Sequence, residues 1–136
     1  MADTKTRENF PAMFRILFID TEEYILRELA KHLSALPDVS VRQIAPDADI
    51  VSFIENQHQD LIMTPFHLPH GNGMKTARTI KDRFPKIKIM MLGALDIPEY
   101  QQAAKDHGVD FMFAEDNINS RKICELVESL DGYRPE

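Results

Sequence analysis

Asp60-Leu61-Ile62-Met63-Thr64-Pro65-Phe66-His67-Leu68-Pro69-His70-Gly71-Asn72-Gly73 is the stretch on which the reading of this chain turns. The run Leu61-Ile62-Met63 has the continuity of a strand covered on both faces. It leads into a turn dense in Pro, Gly and Asn, residues that fix φ, accept positive φ or hydrogen-bond their own backbone. Pro65 stands at the strand tip. A proline there lacks an N–H, which is tolerable at a strand terminus and awkward inside one.

Outward from this segment, strand-like and helix-like patterns alternate. On its amino-terminal side, Ile16-Leu17-Phe18-Ile19 is a continuous apolar run ending at Asp20. A helical period follows from Tyr24 to Leu36, with apolar residues at 25/26, 29, 33 and 36, stopped by Pro37-Asp38. Val39 to Ile44 is more polar and partly alternating, the pattern of an edge strand, and a helix is expected over 48–57 with Val51 and Ile54 inward. On the carboxyl-terminal side come a helix with Met74, Ala77 and Ile80 on one side, then the strand Ile87 to Leu92 ending at Gly93-Ala94. A helix over 97–107 closed by Gly108, the strand Phe111-Met112-Phe113 and a helix lined by Ile123, Leu126/Val127 and Leu130 complete the series. Strand-then-helix units repeated in this way predict an α/β fold, a doubly wound parallel sheet with helices on both faces. Ligands and chemistry in such sheets gather at the carboxyl ends of the strands, which singles out Asp20-Thr21, Pro65, Gly93 and Glu115.

The 136 residues suit one domain, expected over 14–131 between polar tails at 1–13 and 132–136. A 43% hydrophobic and 28% charged composition is that of a soluble globular protein. No apolar run approaches the ~20 residues of a membrane span, and no secretion signal is visible. The single Cys124 excludes an internal disulfide and fits a reducing, cytoplasmic setting. With a net charge of −6 and scattered basic residues, the chain lacks the cationic face that nucleic acid requires. A stand-alone domain without an appended output domain is expected.

Landmarks in order along residues 14–131 resemble the receiver domain of bacterial response regulators in two-component signalling. Ile16-Leu17-Phe18-Ile19-Asp20 is similar to its first strand, which ends in paired acidic residues. Asp60 to Met63 with Pro69-His70-Gly71-Asn72-Gly73 resembles its phosphoacceptor segment and P-x-x-[DN]-G loop, and Gly108-Val109-Asp110 precedes the fifth strand as in the family. The resemblance implies a five-stranded parallel sheet of order 2-1-3-4-5 in a flavodoxin-like three-layer sandwich. It also implies an aspartate acceptor four residues before the loop proline and eight before the loop glycine. Counting back from Pro69 and from Gly73 arrives at Pro65 both times.

Carried over residue by residue, the family's phosphorylation site is degenerate in this chain. Asp20 matches the first acidic position, but Thr21 replaces the second, Pro65 the acceptor, Gly93 the hydroxyl residue and Glu115 the lysine; Met112 takes the aromatic switch position. Proline has no nucleophile, so aspartyl phosphorylation is not expected, and neither is the family's magnesium, which wants near-octahedral oxygen ligation. The implied function is a non-enzymatic pseudo-receiver that acts by phosphorylation-independent protein–protein interaction. Its partner would be a histidine kinase or another signalling protein, with a homodimer as an alternative. The partner face is expected around 97–130, with Tyr100 and the close-packing pair Ala103-Ala104 on it.

Other readings stand beside this one. The cleft near Asp20, Thr21, His67 and Glu115 reads alternatively as a small-molecule or metal site: His67 and His70, near Asp20, Glu115 and Asp116, are imidazole ligands or solvent-facing loop histidines, and Asp20 and Glu115 an acid–base carboxylate pair or remnants of an ancestral pocket. Thr21, Thr64 and Asn72 are candidate ligand hydrogen-bonders, His67 or Thr64 an unconventional phosphoacceptor. Phe111 to Phe113 with Met63, Met90 and Met91 read as core, or as a cavity lining. The cations Lys81, Arg83, Lys86 and Lys88 around Pro85 read as a solvated helix end, or as a docking patch.

Overall fold

Period-two alternation along the central strands sorts their side chains onto two opposed cores, and that sorting builds the molecule. A computed structural model describes residues 13–69 and 71–130; the expected tails, apart from Met13, and His70 lie outside the described residues. The strands are β1 (Phe14–Ile19), β2 (Val39–Ile44), β3 (Leu61–Pro65), β4 (Lys88–Ala94) and β5 (Phe111–Ala114). All pair in parallel, in the order β2-β1-β3-β4-β5. That is the expected doubly wound sheet with the expected order.

The helices are α1 (Tyr24–Ser34), α2 (Ile50–Asn56), α3 (Gly73–Arg83), α4 (Pro98–Asp106) and α5 (Ser120–Glu128). Several start where a side chain satisfies a free backbone donor. Asp49 accepts from Ser52 N–H, Asn72 from Met74 N–H and Asn119 from Lys122 N–H, while Pro98 opens α4 with its φ already helical.

On one face of the sheet, Phe18, Leu61, Met63 and Met90 pack against Leu26 and Leu29 of α1 and Ile123 and Val127 of α5. On the other, Leu17, Ile62, Ile89 and Met91 meet Ile54 of α2, Ala77 and Ile80 of α3 and Ala104 of α4. β3 is buried along its whole length. Each of its apolar side chains contributes on the order of 1.5–3 kcal/mol on burial. The half-exposed strands are β2 and β5, at the two edges, where neighbours cover them on one side only. Met63, Met90 and Met91 are fully buried, and Phe111, Met112 and Phe113 pack half-buried against the two cores.

The structure departs from expectation at several points. α1 and α2 are shorter than their periodicity suggested, because Ala35 and Asp49 serve as caps rather than helix body. A two-residue antiparallel ladder, His67–Leu68 with Gly71–Asn72, sits inside the loop after β3, and a 3-10 turn, Glu115–Asn117, follows β5. Lys81 is not solvated: it is largely buried, with its ammonium 2.8 Å from Asp110 and donating to the Ile87 carbonyl. Ala104 does not face a partner, since α4 turns it into the second core, where it is 3% exposed.

Candidate functional site

β1 delivers Asp20 to the carboxyl edge of the sheet. Its N–H donates to Ile44 O at 2.8 Å, which carries the β1–β2 ladder one residue past the strand. The side chain is exposed, and its Oδ1 accepts from Thr21 N–H at 2.9 Å. Thr21 Oγ1 accepts in turn from Glu23 N–H at 3.1 Å, a local turn that starts α1, and Arg27 Nε donates to Thr21 O at 3.1 Å. Thr21 is therefore occupied in shaping the loop.

β3 ends at Pro65, which is buried and aligned with Leu92 of β4. Ladder bonding resumes one residue later, where Phe66 N–H donates to Leu92 O at 2.7 Å. The fully buried Thr64 donates its hydroxyl to Pro65 O at 3.0 Å, so it is not presented to a ligand. α3 begins hard against the same carbonyl: a Cβ on Gly73 would lie 2.6 Å from Pro65 O. Only glycine admits that approach. Asn72 is spent capping α3, its Oδ1 accepting from Met74 N–H at 2.9 Å. Phe66 packs edge-on to His67, ring centroids 5.0 Å apart, and against Tyr100 of α4 at 5.1 Å.

Gly93 is a bulge. Leu92 aligns with Phe113 and Ala94 with Ala114, leaving Gly93 between them at φ +97°. Space around it is open, with no atom within 4 Å of a Cβ built there, but the backbone disfavours any L side chain. Glu115 follows β5, exposed, at the start of the 3-10 turn. Met112 is half-buried and packs against the second core, as Tyr100 and Ala103 also do.

An open cleft of about 880 Å³ gathers part of this set. Asp20, Thr21, His67 and Glu115 all line it. Pro65 and Gly93 lie buried and are not part of its lining. The sequence reading missed Glu22, Glu23, Pro46, Asp47, Leu68 and Pro69 on its walls. They occupy the loops after β1, β2 and β3, so the rule that sites form at strand ends was the signal available for Pro46 and Asp47.

The donor set does not fit the magnesium that the family resemblance implies. Pro65 brings no side-chain oxygen, Thr21 brings a hydroxyl already holding the Glu23 N–H, and one Asp20 oxygen holds the Thr21 N–H. Among the described residues no group of three or more His, Cys, Asp and Glu could hold a metal ion. The other nucleophile, Cys124, is half-buried on α5, and burial, with the nearby Glu128 carboxylate second, pushes its thiol pKa up. It presents no ready thiolate.

The structure resembles solved receivers across most of its length. It matches a CheY-like receiver domain from Methanospirillum hungatei with a TM-score of 0.70 and 20% identity, over 86% of this chain and 92% of that one. The receiver domain of an HD domain-containing protein from Pseudomonas fluorescens matches with a TM-score of 0.75 and 17% identity, over 91% and 89%. The response regulator DrrB of Thermotoga maritima matches with a TM-score of 0.68 and 19% identity, over 85% of this chain but 51% of that one. In sequence, 88 residues are 27% identical to the transcriptional regulatory protein DegU of Brevibacillus brevis. That alignment spans 63% of this chain and 37% of the longer protein. The family model described as response regulator receiver domain matches residues 16–128, all five strands and helices but for the first residues of β1. The chain belongs to the response regulator receiver domain family of two-component signal transduction.

Proposed function

We propose that this receiver domain transmits a signal through protein–protein contact without passing through an aspartyl phosphate. One observation carries the reading: the tip of the central strand, where the family's spacing puts the acceptor, is a buried proline. A phosphoryl group needs a nucleophile at that tip, cations to neutralise its charge and a hydroxyl to steady its oxygens. The positions matched to those roles hold Pro65, Thr21, Gly93 and Glu115, and the Gly93 bulge adds a backbone conformation unsuited to a hydroxyl side chain. A carboxylate at Glu115 would also repel an incoming phosphoryl donor. The site is thus unsuited to catalysis as well as to switching.

Intact receivers shift a two-state equilibrium when modified. With that input removed, the domain rests in one state or is biased by a partner. A histidine kinase or another signalling protein is the partner class, Tyr100 and Met112 mark the proposed switch face, and the single thiol suits action in a reducing cytoplasm.

The test is direct. Purified protein incubated with acetyl phosphate and magnesium should keep its intact mass, and its amide spectrum should be unmoved by beryllofluoride. An acid-labile phosphate on any carboxylate of the cleft overturns the reading.

A further inference from the structure

We propose that the cleft at the carboxyl edge of the sheet is a docking groove for a partner-protein segment bearing an arginine or lysine flanked by apolar side chains; this rests on the interaction reading above and names the chemistry of the partner. The groove has apolar walls in Pro46, Leu68 and Pro69. Its rim carries the carboxylates of Asp20, Glu22, Glu23, Asp47 and Glu115, with no lysine or arginine in the lining. None of those five takes part in an ion pair among the described residues. Arg27, close by in sequence, has its Nε turned to the Thr21 carbonyl instead.

A second observation is independent of charge. The exposed large apolar side chains among the described residues are Met13, Tyr24, Ile25, Leu95 and Ile97. All but Met13 belong to the carboxyl edge: Tyr24 and Ile25 begin α1 directly after the rim residue Glu23, and Leu95 and Ile97 lie in the loop leaving β4. Tyr24 is 75% exposed, an amphipathic ring turned largely to solvent. Exposed aromatic and aliphatic side chains on the edge that also holds a concave site are what protein interfaces use, in which tyrosine and arginine are both enriched. The proposed switch face offers less of this kind, because Tyr100 and Met112 are half-buried.

Charge selects the occupant. A rim of uncompensated carboxylates repels nucleic-acid phosphate and anionic lipid, and attracts a cation. No three-ligand cluster suits a metal ion among the described residues, and about 880 Å³ far exceeds what an ion fills. A guanidinium on an apolar segment satisfies both walls and rim, since its planar fork meets carboxylates on either side while its neighbours cover Tyr24 and Leu68.

The experiment titrates isotope-labelled full chain with a helical probe peptide containing arginines among leucine and phenylalanine. A counterpart with glutamate in place of arginine runs in parallel. The arginine probe should move the amide signals of Asp20 to Ile25, Leu68, Leu95 to Ile97 and Glu115. Binding should weaken about tenfold in a Glu23→Gln/Glu115→Gln variant, whose exposed substitutions leave the fold intact by circular dichroism. Equal binding of the glutamate probe, shifts confined to α4 and α5, or an unchanged affinity in the variant overturns the inference. A pull-down of wild type and variant from the host lysate separates the two levels. A partner released by Tyr100→Ala but kept by the cleft variant overturns the groove and leaves the interaction reading standing. No partner on either protein overturns the interaction reading itself.

Discussion

Asp110 and Lys81 close the amino-terminal end of β4 from two sides. Asp110 Oδ2 accepts the Ile89 N–H at 2.8 Å and lies 2.8 Å from Lys81 Nζ, which also donates to Ile87 O at 2.6 Å. Asp60 makes the equivalent ring at the start of β3: its N–H donates to Arg15 O and its Oδ2 accepts Arg15 N–H, each at 2.8 Å. An aspartate just before a strand thus substitutes twice for a missing ladder rung. The second carboxylate partners differ, being exposed His58 for Asp60 and largely buried Lys81 for Asp110. Asp110→Ala should therefore destabilise by about 2–4 kcal/mol, because it strands a desolvated ammonium, and Asp60→Ala by about 1–2 kcal/mol. Urea unfolding measures both, and equal losses would dismiss the role given to Lys81.

Restoring the acceptor alone should not restore phosphorylation. In Pro65→Asp the new carboxylate stands at a buried strand tip, while Thr21, Gly93 and Glu115 stay at the positions that the resemblance matches to the second acidic ligand, the hydroxyl residue and the lysine. The variant should also lose on the order of 1–3 kcal/mol, the cost of desolvating a polar group without a full set of partners. Adding Gly93→Thr should deepen the loss by about 1–2 kcal/mol, since a β-branched residue is strained at φ +97° even in open space. Phosphate detected by intact mass on Pro65→Asp after exposure to acetyl phosphate would mean that the proline is the only lesion.

Phe66 ties the strand tip to α4 through its contact with Tyr100, ring centroids 5.1 Å apart and planes tilted by 34°. A double-mutant cycle of Phe66→Leu and Tyr100→Leu should give a coupling of about 0.5–1.5 kcal/mol beyond lost area. Independent effects of the two substitutions would show that the rings touch without stabilising each other.

The fold was legible where local signals agreed with the tertiary outcome. Leu61 to Met63 is a continuous apolar run and became a wholly buried central strand, and the polar alternation of Val39 to Ile44 marked an edge. Pro69, Gly71, Asn72 and Gly73 fixed the register of the loop, although its small ladder was invisible because two residues per strand leave no periodicity. The cleft was half legible. Asp20 and Glu115 fall at strand ends, whereas Glu22, Glu23 and Asp47 read as ordinary solvated loop charges until folding assembles four loops around one space. Lys81 was misread for a related reason. Its burial depends on Asp110 arriving from a later strand-helix unit, a pairing that no local pattern carries.

Asp49 makes the pH dependence of α2 testable. Its carboxylate accepts from Ser52 N–H at 3.1 Å and from the Ser52 hydroxyl at 2.9 Å, and these bonds hold its carboxyl below the usual carboxylate range. A folded-state pKa depressed below the unfolded value contributes stability that is fully present above the unfolded pKa. That contribution fades as pH falls from about 4 through the lower folded value. Asp49→Asn keeps an oxygen acceptor for the cap but removes the titration. The urea midpoints of the two proteins should therefore stay a constant distance apart down to about pH 4 and converge below it. Convergence should be accompanied by earlier loss of α2 amide protection in the wild type than in the variant. Midpoint curves that run parallel through the acid limb would show that Asp49 caps the helix without its charge contributing.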